Sequence, residues 1–448
     1  MKLDRSKPPK EIGEIHFTLP EIKHLQTENG LEVLLVQKKN LPIVQMNLIV
    51  TAGSYFDPKN KYGLAKLTGM MIDEGAGKYN ALELDNEIDS LGSILEISND
   101  HDSIFLSMSS LEETFDNSLD IFSQIICEPH LAENDFVREQ EKALVKIMQY
   151  DDDPSYLAST EFEKIVFKNT GYENPVPGTE ASLKNISIED LRNFYKSHFN
   201  INNSKLVVVG NIEENLLLEK IGSAFKNYRT GKVYAPEVKP YQFDKRKIYF
   251  VHKSDSAQSE VRVGIQTSRR NEKNYFTKLL LNSVLGGQFS SRINLNLRED
   301  KGYTYGAHSS FTYAKTIGHF AVSTSVQAEH TANSLSEIFD EIEKIKTTIT
   351  EDEVAFAKSY LIKKYPAIFE TYSQVARNVN TKVVFDLDDN YFNNYIENIS
   401  KLTLQDLHNC AQEELNDAQL ISLVVGDKNI VMEQLKNKFD FEIVELEI

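Results

Sequence analysis

The chain contains an internal repeat, and this repeat constrains its fold more than any other feature. Residues 185–211 align without gaps to residues 401–427, at an offset of 216 residues. The identical pairs include Asp190 and Asp406, Leu191 and Leu407, Asn193 and Asn409, Val208 and Val424, Val209 and Val425, and Gly210 and Gly426. The same offset places residues 117–119 on residues 333–335, both Asn-Ser-Leu. Two separate matches at one offset indicate a tandem duplication of a unit of about 215 residues.

Each copy of the repeat has the pattern of a capped helix followed by a strand. Ser187 and Thr403 are the predicted N-caps, an amphipathic helix follows each, and a short β-branched strand then ends at a Gly. The other predicted strands are 31–37, 43–50, 93–97, 103–109, 248–252, 260–266 and 320–326, and the other predicted helices are 64–74, 82–91 and 275–285. In both halves the first elements are strands, helices come next, and a further strand follows the helices. The predicted fold class is therefore α+β, with two tandem homologous domains, each a β-sheet with helices packed on one face.

The boundary between the two units is predicted where the periodicity is lost. Residues 227–246 contain Gly231, Pro236 and Pro240 and lack a sustained helical or strand period, as expected for a linker. We therefore predict an N-terminal domain over residues 1–226, a linker over 227–246 and a C-terminal domain over 247–448.

Charge and composition exclude several classes of function. The chain has 49 Lys and Arg against 67 Asp and Glu, and its net charge of −18 makes nucleic acid a poor partner. No apolar run approaches the roughly 20 residues of a membrane span. The sequence as written begins without the apolar segment of a signal peptide, so we expect a cytoplasmic location, or a periplasmic one if a leader was removed. Cys127 and Cys410 are too few and too distant for a disulfide framework or a cysteine zinc site.

Three stretches together resemble the pitrilysin/insulinase family of zinc metallopeptidases, which includes the mitochondrial processing peptidases. They are residues 51–76, with GLAKLTGMMIDEGA at 63–76, residues 136–154, and residues 285–305. Because the order, the spacing and the repeat length also agree, the resemblance covers nearly the whole chain. It implies a two-domain fold of the LuxS and processing-peptidase type.

The resemblance also implies where zinc would bind in an active member of the family. There, the inverted motif H-x-x-E-H supplies two His ligands and a Glu base, and a second Glu further along the chain completes the ligand set. In this chain the first His position is Lys66, the Glu position is Gly69, the second His position is Met70 and the downstream ligand position is Lys146. An ammonium group has no lone pair and repels a cation, so we expect no metal and no cofactor in this chain and no hydrolysis by it alone.

Other metal or phosphate sites are not predicted. The ten His residues include no two that lie three to five positions apart. The Asp151-Asp152-Asp153 run lacks the calcium-loop pattern and is interpreted as a turn that ends a helix before Pro154. The Gly286-Gly287 and Ser290-Ser291 pairs lack the spacing of a phosphate-binding loop, and a helix break explains them.

The third stretch keeps two residues to which the family gives a role. An Arg and a Tyr seven positions apart, in the second type of domain, are proposed there to bind the scissile carbonyl and to stabilise the tetrahedral intermediate. In this chain they match Arg298 and Tyr305, and a guanidinium and a phenol are suitable donors to an oxyanion. Gly302 is predicted to end the helix in the left-handed conformation. The alternative is that Arg298 pairs with a neighbouring carboxylate and Tyr305 simply packs.

The family includes heterodimers in which one subunit keeps the zinc motif and the other keeps the Arg/Tyr pair. By this resemblance, the chain is predicted to be the non-catalytic subunit of a heterodimeric peptidase that cuts peptides in an enclosed chamber. Zinc is expected in the partner, a homologous zinc-binding peptidase subunit. Two alternatives remain: a scaffold, like the respiratory-complex core proteins of the family, and a module that holds peptides at an exposed sheet edge.

Overall fold

The computed structural model describes residues 13, 15, 17–241, 243 and 245–447. The strands of the N-terminal half are β1 (Ile22–Gln26), β2 (Glu32–Gln37), β3 (Ile43–Val50), β4 (Ile94–Asn99), β5 (Ile104–Leu111) and β6 (Ser204–Gly210). Its helices are α1 (Leu64–Met71), α2 (Ala81–Ser90), α3 (Phe115–Cys127), α4 (Glu133–Asp152), α5 (Pro154–Val166), α6 (Glu180–Lys184), α7 (Ile188–His198) and α8 (Glu214–Ala224).

The C-terminal half repeats this plan. Its strands are β7 (Lys247–His252), β8 (Gln258–Thr267), β9 (Thr304–Tyr313), β10 (Gly318–Gln327), β11 (Ile421–Gly426) and β12 (Glu442–Leu446). Its helices are α9 (Tyr275–Leu285), α10 (Arg292–Asn294), α11 (Thr331–Thr348), α12 (Glu351–Lys364), α13 (Tyr372–Val384), α14 (Tyr395–Lys401), α15 (Leu404–Glu414) and α16 (Lys428–Lys438). A π-helical segment, Leu295–Asp300, continues α10.

Five of the six strands have the same order and directions in the two sheets, which confirms the predicted fold class. Their strand orders are β1-β2-β6-β3-β5-β4 and β12-β7-β11-β8-β10-β9. In both sheets the strand from the repeat is central: β6 is parallel to β2 and antiparallel to β3, and β11 is parallel to β7 and antiparallel to β8. The sheets differ at one edge, where β1 runs antiparallel to β2 but β12 runs parallel to β7.

The sequence repeat corresponds to a repeated helix cap. The Ser187 side chain accepts a hydrogen bond from the backbone N–H of Asp190, whose carboxylate accepts one from the backbone of Ser187. Thr403 and Asp406 form the same capping box at the start of α15. Each box satisfies backbone donors that a helix start leaves free, so the aspartates shared by the two copies have one structural role.

Each sheet is covered on one face by helices of its own half and on the other by a helix of the opposite half. Helix α5 packs against β8 and β11, and helix α13 packs against β3 and β6. These two helices occupy corresponding places in the two halves, so the exchange is reciprocal. The prediction of helices on one face is confirmed, and the crossed helices are a feature that it did not include.

Close contacts hold the crossed helices in place. A Cβ atom on Gly264 of β8 would lie 1.9 Å from the Phe320 carbonyl oxygen of β10 and 2.8 Å from the ring of Phe162 on α5. Glycine therefore allows both the neighbouring strand and the helix to approach. On the other side, the Tyr372 hydroxyl of α13 accepts a hydrogen bond from the backbone N–H of Leu41 (2.9 Å) and lies 3.0 Å from the Lys38 carbonyl oxygen. The halves therefore share core and hydrogen bonds.

The predicted linker lies between α8 and β7. Residues 228–241 contain no helix or strand, and they are hydrogen-bonded to the N-terminal half, since the backbone N–H of Glu237 donates to the Tyr55 hydroxyl (3.0 Å) and that of Tyr234 to the Asn203 side chain (3.1 Å). The domain limits stay a prediction that proteolysis can test. Among the described residues, no helix combines the length and the apolar character needed to cross a membrane.

Candidate functional site

The first candidate region is helix α1, where the zinc motif of the family would lie. The Asp57 carboxylate accepts hydrogen bonds from the backbone N–H groups of Gly63 and Ala65, both at 2.7 Å, and so holds the start of the helix. Burial raises the pKa of Asp57 to about 7, although these backbone donors oppose the shift. The Asn99 side chain donates to the Ala65 carbonyl oxygen at 2.9 Å and ties α1 to strand β4.

The structure brings three of the four predicted positions to one cavity. Lys66, Met70 and Lys146 line a space of about 280 Å³ between α1 and α4. Gly69 is buried against Asn99 instead, and a Cβ atom there would lie 2.5 Å from the Asn99 side-chain oxygen. A glutamate at this position would therefore need Asn99 to move.

These residues do not fit a zinc ion. Two ammonium groups and a thioether replace the imidazole and carboxylate ligands that zinc prefers in proteins. Burial also lowers the pKa of Lys66, and no carboxylate is among the described residues that line the cavity. No group of three or more His, Cys, Asp or Glu residues within the described ranges is placed to hold a metal ion.

The second candidate region runs from α10 to the start of β9 and carries Arg298, on the π-helical segment, and Tyr305, on β9. Arg292, at its start, forms a two-pronged ion pair with Glu353, with distances of 2.6 and 2.7 Å. The backbone N–H of Lys301 then donates to the Asn296 carbonyl oxygen at 3.0 Å, a five-residue step that belongs to a π-helix. Such segments are rare and are frequent at functional sites.

A side-chain bridge fixes the surroundings of Arg298. The Asn294 amide donates to the Phe289 carbonyl oxygen (2.7 Å), and its oxygen accepts from the Ala307 N–H of β9 (3.0 Å). The Arg298 guanidinium lies over the exposed Phe289 ring, 4.6 Å from its centre, and 3.5 Å from a Glu299 oxygen. The guanidinium is thus carried by a supported π-helical segment and stays accessible.

Tyr305 stands at the surface near the start of β9, which is an edge strand. Its exposed fraction is 92%, and within the described part of the chain its hydroxyl has no hydrogen-bond partner. Gly302 has a φ of +67°, which confirms its predicted left-handed conformation. The alternative interpretation had two parts. The ion pair of Arg298 with a neighbouring carboxylate, Glu299, is present, whereas the prediction that Tyr305 packs against other residues is wrong.

The two regions lie in different halves, and no hydrogen bond or ion pair between described residues joins them directly. Two residues that belong to these regions were not predicted from the sequence. Phe289 supports Arg298. The sequence feature that could have indicated this role is an apolar residue inside a Gly- and Ser-rich segment. Lys142 lines the same cavity as Lys146. The i, i+4 spacing of the two lysines could have indicated this, because it places them on one face of a helix.

Comparison with known proteins gives matches over most of the chain. The model of a family described as "Insulinase (Peptidase family M16)" matches residues 32–180, and that of the "Peptidase M16 inactive domain" matches residues 185–361. A Helicobacter pylori protein named "Non-peptidase homolog YmxG" is 24% identical over 415 residues, covering 90% of this chain and 94% of the relative. The "Mitochondrial-processing peptidase subunit beta" of Bos taurus is 21% identical over 367 residues, covering 80% of this chain and 74% of the relative.

Solved structures show the same fold. The crystal structure of a peptidase M16 inactive domain from Pseudomonas fluorescens superimposes with a TM-score of 0.85 at 22% identity, covering 91% of this chain and 98% of that chain.

Proposed function

We propose that this chain, which belongs to the insulinase family (peptidase family M16) and is an inactive member of it, serves as the non-catalytic subunit of a heterodimeric peptidase. Its own candidate metal positions carry the wrong ligands, so hydrolysis needs a second subunit. The observation that carries the proposal is Tyr305, a phenol near the start of β9 that is 92% exposed and that follows the supported segment carrying Arg298. Such a side chain is available to a ligand outside the chain.

The chemistry of Arg298 and Tyr305 suits a peptide carbonyl. The guanidinium and the phenol each donate hydrogen bonds, and donors held in advance stabilise the charge that develops on a carbonyl oxygen under attack. The ring of Phe289 beneath Arg298 limits the motion of the guanidinium, so less entropy is lost when the carbonyl binds. In this proposal the chain binds and orients the peptide, and the partner supplies the hydrolytic centre.

The expected partner is a homologous subunit with an intact H-x-x-E-H motif, and zinc is expected there. The Bos taurus relative is named as one subunit of a processing peptidase, which supports a function in a pair. Peptides that fit an enclosed chamber between the subunits are the expected substrates. A purely structural subunit would bind the same partner without contributing Arg298 or Tyr305 to the reaction.

Reconstitution tests the proposal. The zinc-bearing homologue from the same cell is mixed with increasing amounts of this chain, and the cleavage of a quenched peptide is followed. We expect the rate to rise to a plateau at one chain per partner, with no cleavage by this chain alone. A partner that is fully active alone, or one that forms a complex without a change in rate, would overturn the proposal.

A further inference from the structure

The cavity between α1 and α4 has a lining that the proposed function does not use. Three lysines, Lys66, Lys142 and Lys146, contribute to it. The remaining side chains are apolar or aromatic: Leu67, Met70, Ala143, Tyr150, Pro177 and Leu183. The cavity, of about 280 Å³, lies at the small end of the range for ligand pockets, which matches a group of the size of one amino-acid residue.

The charges of the three lysines are unequally compensated. Lys142 is paired at 2.6 Å with Glu139, a carboxylate that is only 4% exposed. Among the described residues, the polar and ring contacts of Lys146 are with neutral groups, the Gln149 oxygen at 3.4 Å and the Tyr150 ring at 4.9 Å. Lys66 has no hydrogen bond or ion pair to any described residue, and no carboxylate is among the described residues that line the cavity.

Lys66 is partly buried, and a partly buried ammonium without a counter-charge is unfavourable. Lys146 is exposed but lines the same largely apolar space. An anion in the cavity would offset this cost at Lys66, because a hydrogen bond between an ammonium group and an anion is about twice as strong as one between neutral groups. The lining contains no arginine, whose planar fork suits phosphate. It offers instead two point charges beside an apolar surface, which is the complement of a carboxylate on a small apolar body.

We infer that the cavity between α1 and α4 binds a carboxylate attached to a small apolar group, with Lys66 and Lys146 as its charge partners. Two sources share this chemistry: a free small carboxylic acid and the C-terminal residue of a peptide. The inference involves neither Arg298 nor Tyr305 nor a second subunit. It can therefore succeed or fail independently of the proposed function.

Calorimetric titration of the isolated full chain tests the inference. The probes are N-acetyl-leucine, N-acetyl-leucinamide, the tripeptide N-acetyl-Ala-Ala-Leu with a free C terminus, and inorganic phosphate. We expect N-acetyl-leucine to bind and its uncharged amide to bind at least about tenfold more weakly, since a hydrogen bond to a charged group is worth roughly 1.5–3 kcal/mol. Binding of the tripeptide as well supports a peptide C terminus, and binding of N-acetyl-leucine alone supports a free acid.

Variants show which lysines bind the carboxylate. Lys66→Met should weaken binding of N-acetyl-leucine by about tenfold or more, and Lys146→Gln, at an exposed position, by a smaller factor of about two to five. The matched control is Lys184→Gln, which removes an exposed lysine that is paired with Glu180 and should leave binding unchanged. The inference is overturned if acid and amide bind equally, if nothing binds, if phosphate binds as well as N-acetyl-leucine, or if Lys66→Met binds like the wild type while its melting temperature shows that it is folded.

Discussion

Replacing Phe162 on α5 by alanine tests whether the two halves depend on each other's helices. Phe162 is only 2% exposed, and its ring packs against the β8 backbone at Gly264 and lies 5.7 Å from the His319 ring of β10. Both neighbours are on strands of the opposite half and cannot collapse into the space that alanine leaves. The loss in the free energy of unfolding should therefore reach the upper range for such a change, about 3–5 kcal/mol.

Guanidinium denaturation followed by circular dichroism measures this loss. Phe356→Ala is the matched control, because Phe356 is exposed on α12 and its replacement should change the free energy of unfolding by less than about 0.5 kcal/mol. The wild type should unfold in one transition, since neither sheet is covered on both faces without the other half's helix. A loss below about 1 kcal/mol for Phe162→Ala, or two separate transitions in the wild type, would refute the reasoning.

Three further predictions follow from the same structure. Limited proteolysis should cut first within residues 227–246, and the two fragments should co-elute in gel filtration because α5 and α13 cross between the halves; separate elution would contradict the crossing. Elemental analysis should find far less than one zinc per chain, because Lys66, Gly69, Met70 and Lys146 replace the ligands and the base; stoichiometric zinc that is lost on changing one of them would show that the site is intact. Lys66→Met should raise the melting temperature at pH 7, because burial lowers the pKa of Lys66. Between that lowered pKa and the ordinary value of 10.5, the unfolded wild-type chain binds more protons than the folded one, so wild-type stability rises with pH. The difference in melting temperature between variant and wild type should therefore shrink as the pH rises. A difference that stays constant with pH would count against this cause.

Much of the fold could be predicted because its signals are local. Strand β3 and helix α9 lie where the sequence predicted them, at Ile43–Val50 and Tyr275–Leu285, and both have strong periodic patterns. The helix predicted over residues 64–74 ends at Met71, and Gly75 adopts a positive φ shortly after it. The crossing of α5 and α13 could not be predicted, because an apolar helix face does not indicate which sheet it covers.

The candidate sites also combine features that local sequence signals predict with features that depend on tertiary contacts. Lys66 and Met70 share a cavity because residues four apart lie on one helix face, and the family frame placed Lys146 opposite them. The support of Arg298 by Phe289, and the pairing of Lys142 with Glu139 that leaves two lysines uncompensated, depend on tertiary neighbours. Only the folded chain shows them.

Turnover by the saturated complex tests the central claim most directly. Arg298→Ala and Tyr305→Phe are compared with the wild type at full occupancy of the zinc-bearing partner. Arg269→Ala serves as the control, since Arg269 is an exposed arginine paired with nearby Glu272. If the two residues hold the reacting carbonyl, turnover should fall by up to about 100- to 1000-fold while the complex stays intact, with the control unchanged. Unchanged turnover in a stable complex of either variant would contradict the proposal that this chain contributes to the reaction.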